Sequence, residues 1–136
     1  MAQTKITAAE IEASLPYFTG TEKWYKFNML YPRALLTDGT KFLADSAGAY
    51  WLMDAICFHQ PALRKSGADV VFQAWTLTVN DDRSCSLVCD DGNGRILTRQ
   101  GIQYTDFPLS TIKLYAIYEG DPAPSTDLIL LLPSEY

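Results

Sequence analysis

The chain has one histidine, three cysteines and no apolar run longer than five residues. Its longest such run includes Leu128–Leu132, far short of the roughly 20 residues a membrane-spanning helix requires. Met1–Lys5 leads into a polar stretch without the apolar core of a secretory signal, so a cytoplasmic protein with no membrane partner is expected. Cys57, Cys85 and Cys89 are an odd number, which in such a chain reads as free, buried thiols in a reducing compartment. Basic residues are also few: 11 Lys and Arg stand against 16 Asp and Glu, for a net charge of −5. The only close basic group is Arg64-Lys65. Phosphate contacts need clustered cations, so no direct nucleic-acid partner is expected.

What is present describes one globular domain over residues 1–136, with 48% apolar and 20% charged residues. A chain this long buries roughly 68% of its unfolded surface and needs neither metal nor disulfide to fold. Thr7-Ala8-Ala9-Glu10 is a capping box that opens a short helix. Pro16 should force Leu15 out of helical geometry. Trp24–Phe27 has strand character. Asp38-Gly39 between Arg33–Thr37 and Thr40–Leu43 predicts a tight hairpin, unless Thr40 onward leads directly into the next helix. Ser46 to Gln60 is the main predicted helix, capped by Ser46 and stopped by Pro61. Asp54 is its only charge between Ala47 and Phe58, so this helix should lie buried at the centre, across the sheet.

From Val70 the period changes to two. Trp75, Leu77 and Val79 form one strand face, Cys85, Leu87 and Cys89 the next, and Ile96, Ile102 and Tyr104 mark a third. Ile112, Leu114, Ala116 and Tyr118 share one face of a fourth strand, with Tyr115 and Ile117 on the other. Asn80–Arg83 and Asp91–Gly94 are turns. Leu128–Leu132 should end the sheet or pack between layers. The expected fold is α+β: a meander-like antiparallel sheet of about five or six strands on one central buried helix, plus a short N-terminal helix.

Several segments carry a resemblance: Phe18–Glu22, Leu36–Ala44, Gly48–Leu52, Phe72–Trp75 and Tyr104–Leu109. Together they resemble the signature blocks of a bacterial family of small proteins catalogued as a domain of unknown function, found on phages, plasmids and other mobile elements. The resemblance spans roughly residues 18 to 118. It implies a mobile-element context and carries over no activity and no catalytic residues. The first helix and last strand lie outside these blocks.

No assembled catalytic site emerges, and a non-enzyme is expected. Cys57 and His59 sit about 200° apart on a helix, and Cys85 and Cys89 are roughly 13 Å apart along a strand. Neither pair has zinc-knuckle spacing, and His59 beside Pro61 reads as a helix-end residue. No G-x-S-x-G elbow is present. Asp90–Gly94 fails the calcium-loop pattern and reads as a turn. No metal and no cofactor is expected.

The aromatics and acids are more informative. Eight tyrosines, three tryptophans and six phenylalanines exceed the needs of a small core, and such residues concentrate at interfaces. The acids cluster, and the protein-binding residues assigned on this basis are Asp81, Asp82, Asp90, Asp91, Tyr115, Tyr118, Glu119 and Asp121. The expected function is a non-catalytic interaction protein from a phage or mobile element. Its partner would be a protein with a basic surface, such as a host or phage defence or nucleic-acid-processing machine that it modulates or inhibits. The alternative is a small-ligand protein or enzyme with a pocket between helix and sheet near Asp54, Cys57, His59 and Trp75. A homodimer through a sheet edge or the apolar tail is compatible with either.

Overall fold

A computed structural model describes residues 6–136, so the polar start Met1–Lys5 lies outside the described residues. Helix α1 (Ala8–Ser14) opens on the expected capping box: Glu10 N–H donates to Thr7 Oγ1, and Thr7 N–H donates to the Glu10 carboxylate, both at 3.1 Å. Leu15 does not leave helical geometry (φ −55°, ψ −45°). The chain instead tightens into a 3-10 turn over Leu15–Tyr17, since Pro16 at its start gives up an N–H that would be unpaired anyway.

Strand β1 (Tyr25–Lys26) pairs antiparallel with β2 (Ala34–Leu36). No hairpin forms at Asp38-Gly39. Thr37 is the N-cap of helix α2 (Asp38–Ala47), exchanging hydrogen bonds with Thr40. Asp38 reaches back, accepting from Glu22 N–H and Tyr25 Oη, both at 3.0 Å. Long-range acceptors therefore decide between the two readings of this dipeptide. The Glu135 carboxylate accepts from Thr37 Oγ1 at 2.6 Å and Gly39 N–H at 3.1 Å, placing a negative charge on the helix N-terminus where the dipole favours it.

The single Ser46–Gln60 helix is also corrected. Ser46 lies inside α2, which ends at Gly48 in the left-handed conformation (φ 62°). The Ala49 N–H then donates to Ala44 O at 3.0 Å, the closing bond of a Schellman cap. Helix α3 (Tyr50–Phe58) follows, and Pro61 starts helix α4 (Gln60–Lys65) rather than stopping a helix. Lys41, Asp45 and Tyr50 hydrogen-bond mutually across the α2–α3 break. The apolar segment is nevertheless buried as expected: Leu52, Met53, Ile56 and Cys57 are at most 3% exposed.

The sheet has seven strands and is mixed. Its remaining members are β3 (Phe72–Val79), β4 (Cys85–Asp90), β5 (Ile96–Ile102), β6 (Thr111–Tyr118) and β7 (Leu128–Leu131), in the order β1-β2-β7-β6-β3-β4-β5. Strands β3 to β6 are antiparallel but not a meander. β6 returns beside β3, making the β6-β3-β4-β5 arrangement of a Greek key. Arg83, at φ 70°, pins the returning chain by donating to Thr105 O and Phe107 O. Phe107 is thereby buried edge-on against Trp51.

β7 does not end the sheet. It lies between β6 and β2, parallel to β2 with Leu128 beside Ala34 and Leu130 beside Leu36. A strand apolar on both faces suits this central position. All five residues of the Leu128–Leu132 tail are buried. The helices cover the sheet face carrying Trp75, Leu77, Leu87, Leu114 and Leu130.

Gly39 sits where a Cβ would stand 2.5 Å from the Glu135 carboxylate and 2.6 Å from Leu132 Cδ1. Gly39→Ala is expected to lower stability by about 1–3 kcal/mol, because Glu135 must leave the α2 terminus. Gly20→Ala, which meets nothing within 4 Å, should stay within about 0.5 kcal/mol of the parent. Chemical denaturation midpoints of the two variants would check this, and equal midpoints would contradict it.

Candidate functional site

The eight residues assigned to an interaction surface do not share one face. Asp81 and Asp82 lie in the β3–β4 turn, whereas Asp90 ends β4 and Asp91 opens the β4–β5 turn, a strand length or roughly 20 Å away. Three of these acids are occupied by their own turns. Asp82 Oδ1 accepts from Ser84 N–H and Oγ, Asp90 Oδ1 from Gly92 N–H, and Asp91 Oδ1 from Asn93 and Arg95 N–H. Hydrogen bonds from Ser84 hold the Asp82 carboxyl below its ordinary pKa. Tyr115 points to the sheet face opposite the helices, against Phe72 and Tyr136 at ring separations of 4.8 and 5.5 Å.

Tyr118 is corrected as a surface residue: it is 3% exposed, on the core face. β6 alternates strictly, so Tyr118 follows Ile112, Leu114 and Ala116 inward. Glu119 and Asp121 are exposed on the β6–β7 connection.

The other candidate set disperses too. Asp54 is half-buried and accepts from Asn28 Nδ2 at 2.7 Å. His59 Nε2 pairs with Gln100 Oε1 at 2.7 Å, its ring 5.6 Å from that of buried Trp75. Cys57, Cys85 and Cys89 are free and buried. Among the described residues no group of three or more His, Cys, Asp or Glu could hold a metal ion.

A buried polar chain that the sequence did not reveal runs through the same region. Gln60 and Gln73, 3% and 0% exposed, face each other amide to amide at 2.9 Å in both directions. Gln60 also donates to Ile56 O, and Gln73 to Val70 O, while Trp75 Nε1 donates to Gln73 Oε1. Tyr118 Oη donates to Gln60 Oε1 at 3.0 Å and accepts from Arg64 Nη1 at 2.9 Å. Burial raises the Tyr118 pKa, so the hydroxyl keeps its proton and its donor role. A glutamine in a strand and another at a helix start carry no local signature of pairing.

Arg64 opens onto a cleft of about 250 Å³ between α4, the Leu30–Ala34 segment and the β6–β7 connection. Its walls are Leu30, Tyr31, Cys57, Leu128 and three prolines, Pro32, Pro61 and Pro124. Beside the cleft, a turn exposes Met29 and Leu30 at 96% and 79%. That turn is held: Leu30 N–H donates to Asn28 Oδ1, Tyr31 N–H to Asn28 O, and Asn28 in turn to Asp54. Asp54 therefore positions an exposed apolar tip from inside the helix layer.

A family model described as "Family of unknown function (DUF6876)" matches residues 9–136. The match takes in α1 from its second residue and all of β7, which the resembling blocks had left out. No curated protein and no solved structure matches.

Burial pushes the Cys57 and Cys89 thiols up to about 12, with Asp54 and Asp90 adding to the effect, and raises Cys85 by the same cause. Thiol reagents attack the thiolate, so at pH 8 the folded protein should react with 5,5′-dithiobis(2-nitrobenzoate) very slowly. All three thiols should become reactive in denaturant. Rapid modification of any thiol without unfolding would contradict this packing.

Proposed function

Since the chain belongs to that family of unknown function, we propose that it is a non-catalytic interaction protein which docks through the end of the sheet where β6 finishes and β7 begins. The observation that carries this reading is the turn holding Met29 and Leu30, 96% and 79% exposed. Two adjacent large apolar side chains kept in water by a hydrogen-bonded turn are the form of an anchor. Burying each contributes about 1.5–3 kcal/mol, and a preformed turn loses little entropy on binding.

The acids qualify the partner. Glu119 and Asp121 are exposed on the connection that borders the same cleft as Leu30. The partner is a protein offering an apolar groove rimmed by Lys or Arg, and charge steers the encounter. The resemblance to mobile-element proteins supports the reading that this partner belongs to a host or phage machine, of defence or nucleic-acid processing, which the protein modulates or inhibits. Asp81 and Asp82, at the opposite end of the sheet, fall outside the docking surface.

The test compares affinity captures from a bacterial lysate by the parent and by a Met29→Ser/Leu30→Ser variant. Substitutions this exposed should leave stability within about 0.5 kcal/mol. The expected outcome is a specific protein retained by the parent, lost with the variant, and weakened by salt. Identical retained sets, or none with the parent, would overturn the reading.

A further inference from the structure

The charge inside the cleft is opposite to that of the protein. In a chain of net charge −5, the only charged residues lining this cleft among the described residues are Arg33 and Arg64. Arg33 is neutralised by Asp127 at 3.2 Å, and both side chains are largely exposed, at 56% and 41%. Arg64 has no carboxylate partner among the described residues, where its one hydrogen bond goes to Tyr118 Oη. A guanidinium has five N–H donors, so most of its capacity remains unused.

Its position is also set from behind. The Tyr118 hydroxyl that receives Arg64 is itself held by Gln60, and Gln60 by Gln73 and Ile56 O. A long, flexible cation is thus registered against β6 and β3 before any ligand arrives, which is how a binding site lowers the entropy of recognition. The walls decide which anion fits. Three prolines offer no backbone N–H, and Leu30, Leu128, Ala34 and Cys57 offer no strong donor. Thr126, Gln60 and Tyr118 also line the cleft but spend their donors within the protein, which leaves the Tyr31 hydroxyl and the ion-paired Arg33 beside Arg64. A planar carboxylate matches the guanidinium fork of Arg64 and leaves its body to the apolar walls.

We propose that this cleft binds a small carboxylic acid with an apolar or aromatic body, its carboxylate on Arg64 and its body between Tyr31 and the prolines. The cleft measures about 250 Å³ and is open to solvent. This inference does not rest on the docking reading, although Leu30 of the exposed turn also lines the cleft.

Benzoate is the probe, and benzamide is its neutral counterpart of the same shape. Each is titrated into the full chain and followed by amide chemical shifts. The expected result is saturable benzoate binding near 1 mM, as befits so small a ligand, with shifts at Tyr31, Gln60, Arg64 and Thr126. Benzamide should bind at least about tenfold more weakly, the worth of a charge-assisted pair. Arg64→Gln should abolish that preference, and Arg64→Lys should keep part of it.

Equal binding of the two probes, no saturable shift with benzoate, or a preference unchanged in Arg64→Gln would overturn the proposal. The parent comparison needs no variant, so a poorly folded substitution leaves the test intact. An acetylated peptide ending in phenylalanine is the last arm. Binding at the same amides more tightly than benzoate would overturn the small-molecule assignment in favour of a partner's chain terminus.

Discussion

The buried amide pair of Gln60 and Gln73 is the joint on which the two layers of this fold are registered. An unpaired amide in an apolar interior costs several kcal/mol by transfer measures, so such groups survive only where every donor and acceptor is met. Here the pair is met from both layers, by Ile56 O on the helix side and by Val70 O and Trp75 Nε1 on the sheet side. Hydrophobic contact alone tolerates sliding of a helix over a sheet. A reciprocal amide pair does not, because a displacement of about an ångström leaves several buried groups unsatisfied at once.

The same joint extends to the surface. Tyr118 links Gln60 to Arg64, so the one unpaired cation of the cleft is coupled to the core. β7 supplies the opposite wall. By entering between β2 and β6 it brings Leu128 and the β6–β7 connection beside the segment that leads into β2. Leu128 N–H donates to Arg33 O at 2.9 Å, and Arg33 pairs with Asp127. The cleft and the exposed Met29–Leu30 turn are thus products of one topological choice, a parallel strand at the centre of an otherwise antiparallel sheet.

How much was legible in the sequence depends on how far each signal reaches. The Thr7–Glu10 box and the alternation of β3, β4 and β6 are satisfied within a few residues, and they appear as read. Asp38-Gly39 and Gly48 are different. Glycine permits a type I′ turn, a helix N-terminus closely approached by other atoms, or a left-handed cap. Glu22, Tyr25 and Glu135, all distant in sequence from the α2 first turn, select the helix start there. Pro61 likewise serves as a stop or a start. The acids were found by their clustering, and the structure shows Asp82, Asp90 and Asp91 each accepting hydrogen bonds within their own turns.

By itself the sequence determined the class of fold, a burial-driven α+β domain with free thiols and an apolar middle segment, because composition and short periodicities act locally and add. Only the tertiary structure decided that β6 returns beside β3, that β7 lies at the centre, and that Gln60, Gln73, Tyr118 and Arg64 form one chain. Those outcomes depend on pairings across tens of residues, and a polar side chain carries no local mark of the partner that burial will require it to find.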